Sequence, residues 1–196
     1  MSNAAGPEEI KSRLRAEALA RRDALPAQQR QAAAEAIAAR PFPVDVASGT
    51  IVSGYSPMKS ELSPLPLMRK LSVAGAKLAL PVVQGRGRPL LTRAWNFGEP
   101  LAEGAWNIRQ PKSDAPEVLP DILLVPLAAF DRDGHRIGYG AGYYDLTISA
   151  LRAMKPVIAI GLAFAVQEIE NVHATPRDAR LDLVLTEAEI IDFRKG

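Results

Sequence analysis

Residues 122–145 read ILLVPLAAFDRDGHRIGYGAGYYD, and this stretch decides the fold. The apolar run at 122–130 predicts a strand, and the segment at 143–154 predicts a helix. Between them, IGYGAGYYD at 137–145 has glycine at alternate positions, which permits close backbone approaches that a Cβ would block. Amide groups of such a turn can converge on an anion at the N-terminus of the following helix. The stretch indicates a phosphate-binding turn, while a tight connection that binds nothing explains the same glycines.

Asp145 falls in the first turn of that predicted helix. A carboxylate is stabilising there, but beside a bound phosphate it would repel unless a cation lay between them. Magnesium is the natural candidate for that cation, because it prefers carboxylate and phosphate oxygens. The chain has no G-x-x-x-x-G-K-[ST] sequence, which excludes an ordinary P-loop.

From residue 50 onward, short apolar runs alternate with helical segments. Near-continuous apolar runs suit strands that are covered on both faces, and ligands in such folds gather at the carboxyl ends of the strands. The pattern therefore predicts an α/β fold, a three-layer αβα sandwich with a mostly parallel central sheet. The strand-like runs are 50–55, 77–83, 89–95, 122–130, 156–163 and 181–186, and the helical segments are 64–75 and 143–154.

The composition of the 196 residues excludes several kinds of site and of protein. Cysteine is absent and there are two histidines, which excludes disulfides, thiolate nucleophiles and zinc sites of the usual spacing. No long apolar run predicts a membrane span, so we expect a cytoplasmic protein without membrane contact. We expect residues 1–6 to be a disordered or vector-derived tail and 7–196 to form a single domain. We also expect a monomer.

The charges are balanced, with 24 basic against 22 acidic side chains interspersed along most of the chain, which argues against a nucleic-acid partner. The N-terminal segment is the exception. Residues 8–25 and 27–40 predict two helices separated by a proline, and Lys11, Arg15 and Arg22 lie along one line of the first. We expect these cations on an exposed stripe beside an apolar one, either solvated or facing an anionic partner.

Several short sequences accompany the glycine run. In order along the chain they are KSRLR at 11–15, YSPMKSEL at 55–62, WNIRQP at 106–111, VPLAAFDRDGHRIGYGAGYYD at 125–145 and HATPRDARLDLVLTE at 173–187. Together they resemble the 5-formyltetrahydrofolate cyclo-ligase family, also called 5,10-methenyltetrahydrofolate synthetases. The similarity runs from about residue 11 to residue 187. It implies a fold like that of sugar-phosphate isomerases and CoA transferases.

The resemblance also implies an activity. Enzymes of this family use ATP and Mg²⁺ to close 5-formyltetrahydrofolate into 5,10-methenyltetrahydrofolate, with release of ADP and phosphate. A formamide oxygen is a poor leaving group, and its phosphorylation gives an N5 iminium phosphate that N10 can attack. Phosphoryl transfer of this kind needs positioning and charge neutralisation more than covalent help from the protein.

The resemblance assigns roles to residues of this chain. The implied catalytic residues are Lys11, Arg136 and Tyr143, and the implied metal ligands are Asp145 and Asp178. The implied ATP-binding residues are Lys11, Ser12, Arg13, Leu14, Arg15, Arg136, Ile137, Gly138, Tyr139, Gly140, Ala141, Gly142, Tyr143 and Tyr144. The implied substrate-binding residues are Ser56, Glu61, Trp106, Tyr139, Gly140, Ala141, Gly142 and Tyr143. Many members of the family have glycine or lysine where this chain has Ala141, which fits if its φ is negative.

Other roles for these residues, and other functions for the chain, fit the same sequence. Glu61 could cap the helix near Pro64, Asp178 could be a turn residue, and Tyr143 and Trp106 could pack in the core. A non-catalytic domain that senses a phosphate ester, on a sugar-phosphate-isomerase-like scaffold, would use the same phosphate cradle. A paralogue that acts on another pterin-like substrate is a further alternative.

Overall fold

The structure of the protein, a computed structural model, describes residues 6–195. The predicted tail lies outside the described residues except for Gly6, which precedes the first helix in an extended conformation, and Gly196 lies outside them as well. The helices are α1 (Pro7–Asp23), α2 (Ala27–Ala39), α3 (Leu65–Val73) and α4 (Tyr143–Met154). The strands are β1 (Ile51–Ser53), β2 (Lys77–Val82), β3 (Leu91–Ala94), β4 (Ala102–Glu103), β5 (Arg109–Gln110), β6 (Ile122–Pro126), β7 (Ala129–Phe130), β8 (Arg136–Ile137), β9 (Ile158–Leu162), β10 (Leu183–Leu185) and β11 (Ile190–Asp192).

Seven strands form the central sheet in the order β11-β10-β9-β6-β1-β2-β3. The four inner pairings, from β10 to β2, are parallel, and the two edge strands are antiparallel to their neighbours. The predicted mostly parallel sheet is confirmed. Within the described range, no helix is long and apolar enough to span a bilayer.

Side chains of the inner strands alternate between two apolar cores, one on each face of the sheet. In β6, Ile122 and Leu124 pack with α2 and α3 on one face. Leu123 and Val125 pack with α4 on the other face. Helices therefore cover both faces, as predicted for the three-layer αβα sandwich, and this explains why the strands read as continuous apolar runs.

Helix α1 lies beside β7, at the edge of the sandwich, and its buried face is cationic. Lys11 and Arg22 are buried, Ala18 between them is fully buried, and Arg15 is half-buried. The expectation of an exposed stripe is wrong. The side chains at these positions point along one line of the helix, and that line faces the protein because it finds carboxylate, carbonyl and hydroxyl partners there.

Two short hairpins, β4–β5 and β7–β8, were not predicted as such. Strands of two residues are too short to show a periodicity in the sequence. In the turn of the second hairpin, Asp131 Oδ1 accepts hydrogen bonds from the amides of Asp133 and His135 at 3.1 and 3.0 Å. This hairpin leads directly into the glycine run.

Candidate active site

A cleft of about 600 Å³ opens at the carboxyl ends of the parallel strands. Pro126 ends β6, Tyr55 follows β1, and both line the cleft together with the whole run from Arg136 to Asp145. Further walls come from Lys11 and Arg15 on α1 and from the segment around Asp178. The position agrees with the sequence prediction, because binding sites of open α/β sheets lie at this edge.

One end of the cleft joins the glycine turn to α1. The Arg15 Nε donates to the carbonyl oxygen of Gly138 at 2.7 Å. Gly140 and Gly142 have φ of +95° and +69°, conformations in which an L side chain would be strained. Ala141 is absent from the described non-glycine residues with positive φ, as expected for an alanine at this position. The N-terminal cations and the turn, far apart in sequence, therefore form one wall.

The two carboxylates implied as metal ligands each pair with a cation of the cleft. Asp178 Oδ2 lies 2.5 Å from Lys11 Nζ, and Asp145 Oδ1 accepts from Arg136 Nη2 at 2.9 Å. The amide of Ala179 also donates to Asp145 Oδ1 at 3.0 Å, which ties the start of α4 to the Asp178 segment. Two carboxylates thus face three cations at this end of the cleft, since Arg15 lies there as well.

The hydrogen bonds to each carboxylate converge on a single oxygen. Asp178 Oδ2 accepts from Lys11 and from the amide and hydroxyl of Thr175. Asp145 Oδ1 accepts from both Arg136 and the Ala179 amide. In the part of the chain that the structure describes, the second oxygen of each carboxylate has no hydrogen-bond donor. Two hard oxygens on adjacent segments fit Mg²⁺, which keeps several waters and takes few protein ligands.

Hydrogen bonds also set the ionisation of Asp178. Burial raises the pKa of this carboxyl, but the hydrogen bonds from Lys11 and Thr175 outweigh burial and hold the pKa below its ordinary value. The group is therefore an anion at neutral pH, as a cation ligand must be.

Two buried polar atoms in the cleft have no hydrogen-bond partner among the described residues, Arg136 Nε and the Tyr143 hydroxyl. Such atoms are costly unless a ligand or water satisfies them. Both side chains line the cleft beside the glycine turn. The arrangement fits an anionic ligand that accepts from both donors.

The other end of the cleft is built for a flat polar ring. Tyr55, Tyr139 and Tyr144 line the cleft together with Glu61, and burial, followed by the negative charge of Glu61, raises the pKa of each tyrosine. Burial also raises the pKa of Glu61, against the hydrogen bonds from the Met58 amide and Tyr139 and the charge of Arg22. Neutral hydroxyls thus face a carboxylate that can accept paired N–H donors.

Trp106 lies on the loop between β4 and β5 and reaches over the cleft. It has φ of 54°, rare for a bulky residue, and its ring is exposed. The ring centroid lies 5.9 Å from that of Tyr143, with the planes inclined by 51°. Core packing is therefore excluded for Trp106, and the two rings form an aromatic border of the cleft.

Three residues implied for ATP binding do not line the cleft. Ser12 and Arg13 are exposed, and Arg13 lies 4.0 Å from Glu17 on the same helix. Leu14 packs into a small apolar cluster against β7 and β8. Consecutive helical residues point in different directions, so Lys11 and Arg15, four apart, face the cleft while the three between them do not. The other implied residues all line it, including Ser56 and Ile137.

Comparison with known proteins now adds to this geometry. The sequence model of the 5-formyltetrahydrofolate cyclo-ligase family matches residues 7–187. The chain belongs to this family. A relative from Mycolicibacterium smegmatis, named 5-formyltetrahydrofolate cyclo-ligase, is 33% identical over 188 residues, which cover 90% of this chain and 93% of the relative. One of the same name from Escherichia coli is 32% identical and covers 88% of this chain and 98% of its own length.

Two solved structures of similar fold are 5,10-methenyltetrahydrofolate synthetases. The NMR structure of Aquifex aeolicus 5,10-methenyltetrahydrofolate synthetase has a TM-score of 0.78 at 28% identity, covering 95% of this chain and 94% of that one. A Mycoplasma pneumoniae 5,10-methenyltetrahydrofolate synthetase has a TM-score of 0.68 at 22% identity and supports the fold alone. The resemblance derived from the sequence is confirmed, and the relatives are ligases, a different class from the sensor domain considered as an alternative.

Sequence reasoning missed Tyr55 and Thr175, which line the cleft, and Arg22, which lies behind the lining and donates to Tyr139. Arg22 lies on the same helical line as Lys11 and Arg15, a signal that was present in the sequence. Tyr55 and Thr175 carried no signal of their own, because their position depends on how the loops after β1 and before β10 fold over the cleft. The proposed helix cap at Glu61 is wrong, since its carboxylate accepts from the Met58 amide at 2.8 Å.

Proposed function

We propose that this protein catalyses the ATP- and Mg²⁺-dependent cyclisation of 5-formyltetrahydrofolate to 5,10-methenyltetrahydrofolate, with release of ADP and phosphate. The observation that carries the proposal is one cleft with two chemically distinct ends, in a member of the cyclo-ligase family. The cationic end with the glycine turn suits a polyphosphate, and the end with Glu61 and tyrosines suits a pterin. The residues proposed for both ends come from one chain, and we propose that the enzyme is a monomer.

At the cationic end, the ATP phosphates would meet Lys11, Arg15 and Arg136. The formyl oxygen attacks the γ-phosphorus, the bond to the β,γ-bridging oxygen breaks, and ADP leaves. Charge spreads over the γ-phosphoryl oxygens during this step, and fixed cations stabilise it without reorganisation. The unpartnered Arg136 Nε supports a role as a donor to one of these oxygens.

At the aromatic end, Glu61 would accept from the amino and N–H edge of the pterin. Binding there fixes N10 near the formyl carbon, so that N10 attacks the iminium carbon, loses its proton, and phosphate departs with the oxygen. N10 and the formyl group belong to one molecule, so the step is already intramolecular, and the cleft would contribute by holding the conformer in which the two groups face each other. Tyr143 and Trp106 would border the bound rings.

Asp145 and Asp178 would hold Mg²⁺ through their second oxygens, and the ion would neutralise phosphate charge when bound. Their present partners, Arg136 and Lys11, are the cations proposed for the phosphates. With nucleotide and metal bound, Lys11 and Arg136 would lie between these carboxylates and the phosphates and could pair with either.

The test is a coupled measurement on the purified protein. With ATP, Mg²⁺ and 5-formyltetrahydrofolate, we expect a new near-ultraviolet absorbance from the methenyl product together with release of phosphate, and neither signal when one component is omitted. Folded protein that gives no such absorbance rejects the proposal. ATP hydrolysis that requires a different pterin-like compound would instead indicate the paralogue alternative.

A further inference from the structure

We propose that Arg22 is a positioning residue for the folate: it holds the Tyr139 hydroxyl and the Glu61 carboxylate in the arrangement that receives the pterin. The inference rests on the proposed function and concerns a residue to which the resemblance gives no role. Arg22 is not in the lining of the cleft and acts through the two residues that are.

The Arg22 guanidinium is buried at the last turn of α1, with its side chain 4% exposed. Its Nε donates to Ser60 Oγ at 3.0 Å, and its Nη1 donates to the Tyr139 hydroxyl at 2.6 Å. The guanidinium carbon also lies 5.8 Å from the centroid of the Tyr139 ring. One side chain thereby connects the residue before Glu61 to the glycine turn.

Tyr139 connects Arg22 to the lining of the cleft. Its hydroxyl accepts from Arg22 and donates to the Leu127 carbonyl at 3.3 Å, so its position is fixed from both sides. Burial, followed by the negative charge of the nearby Glu61 carboxylate, raises the pKa of Tyr139. Arg22 therefore holds the Tyr139 hydroxyl beside Glu61.

The carboxylate that pairs with Arg22 belongs to an exposed side chain, so the pair differs from a buried structural ion pair. Its well-formed hydrogen bonds go to two neutral hydroxyls. Asp23 Oδ1 lies 3.6 Å away, but that side chain is 61% exposed, so solvent weakens the pairing. A buried cation without a buried anion is costly, and the nearby Glu61 offsets part of that cost.

Every titratable group that acts on Glu61 fits this assignment. Burial raises the pKa of Glu61, Arg22 and Tyr139 lower it, and Tyr55 and Tyr144 are neutral neighbours at physiological pH. Without Arg22, the carboxylate would lose its one cationic neighbour among the groups that shift its pKa.

Helix α1 therefore serves both ends of the cleft. Lys11 and Arg15 face the phosphate end, and Arg22 follows Lys11 by about 16 Å along the helix axis. Because these residues have separate targets, loss of Arg22 should weaken folate binding and leave ATP binding unchanged. A merely structural role would weaken both.

The experiment compares Arg22→Gln with Arg21→Gln and Tyr139→Phe. Arg21 is the matched control, an exposed arginine of the same helix turn whose Nε donates to a backbone carbonyl at 2.8 Å. Folate dissociation constants are measured by calorimetry without ATP, and KM for ATP is measured at saturating folate. Thermal unfolding of each variant checks the fold. Tyr139→Phe keeps an exposed ring and removes only the hydroxyl, so it tests the link even if Arg22→Gln does not fold.

We expect Arg22→Gln to raise the folate dissociation constant about tenfold or more, as for loss of hydrogen bonds that involve a charged group. Tyr139→Phe should raise it by about threefold to tenfold. The folate dissociation constant of the double variant, Arg22→Gln with Tyr139→Phe, should lie within about twofold of that of Arg22→Gln alone, because both changes break the same connection. KM for ATP should change less than about twofold in Arg22→Gln, and Arg21→Gln should match the wild type in both measurements.

An unchanged folate dissociation constant in Arg22→Gln, or in Tyr139→Phe where Arg22→Gln is unfolded, overturns the role of Arg22. Equal losses of folate and ATP binding overturn it as well. These outcomes differ from failure of the proposed function, in which the wild-type protein itself neither binds nor cyclises the folate.

Discussion

Replacement of Lys11 by methionine tests whether the buried cationic face of α1 stabilises the fold. Methionine keeps the length of the side chain and removes the charge that lies 2.5 Å from Asp178 Oδ2. The side chains of the pair are 6% and 17% exposed, so Asp178 would be left with little solvent in place of its partner. An exposed stripe, as expected from the sequence, would make the same change harmless.

The burial of the pair determines how much the substitution lowers the free energy of unfolding. Removal of one partner of a fully buried ion pair costs about 3–5 kcal/mol. Asp178 keeps two donors, the amide and hydroxyl of Thr175 at 2.6 and 2.9 Å, and it is partly exposed. We therefore expect a smaller loss of about 2–3 kcal/mol in the free energy of unfolding. For a chain of this size that is a fall in Tm of about 4–12 °C.

Lys155→Met is the matched control. Lys155 Nζ lies 2.5 Å from Asp121 Oδ1, the same separation, but these side chains are 28% and 42% exposed. We expect its loss to cost at most about 1 kcal/mol, because solvent screens the exposed pair. Both variants are unfolded by urea, followed by circular dichroism, without ATP or Mg²⁺.

The pH dependence of the free energy of unfolding gives a second test of the same pair. The pKa of Asp178 is lowered in the folded state, so its contribution is fully present above its ordinary value of 3.8 and is lost as pH falls through the folded value. The difference between wild type and Lys11→Met should therefore shrink in acid. Equal losses in the two lysine variants at neutral pH, or a Tm for Lys11→Met within about 1 °C of wild type, would refute the reasoning.

Three further predictions concern the carboxylates and the core. Asp145→Asn should lower Mg²⁺-dependent turnover about tenfold or more and leave the folate dissociation constant within about twofold, and unchanged turnover at saturating Mg²⁺ would remove Asp145 from the metal site. Because burial raises the pKa of Glu61 from 4.5, folate affinity should fall as pH drops through that raised value, and Glu61→Gln should abolish this dependence in calorimetric titrations. Gly161→Ala should cost about 1–3 kcal/mol in urea unfolding, because its Cβ would lie 2.8 Å from methyl groups of Leu127 and Leu181, and a loss below about 0.5 kcal/mol would show that these side chains can move aside.

The sequence predicted much of the site because its largest part is local. The residues from Arg136 to Asp145 are contiguous, and a strand, a glycine turn and a helix in succession can form only a few geometries. The helix boundaries 143–154 match α4, and Asp145 falls in its first turn as expected. Lys11 and Arg15 were also identified, since residues four apart share a face of a helix.

The sequence could not show which face of α1 is buried. Arginine and lysine are mostly exposed in proteins, and the line of Lys11, Arg15 and Arg22 was accordingly expected at the surface. Burial became favourable only because Asp178, the Gly138 carbonyl and the Tyr139 hydroxyl come from distant parts of the chain to meet that line. Such partners have no signature in the helix itself.

Sequence alone determined the layered α/β architecture, because apolar periodicity and turn residues act over neighbouring positions and strands of this kind need cover on both faces. It also determined the glycine turn, because only residues without a Cβ adopt its backbone readily. Tertiary structure alone decided the pairing of Lys11 with Asp178 and the link from Arg22 to Tyr139. Both contacts join residues more than a hundred positions apart, and their energies depend on burial, which exists only after the chain has folded.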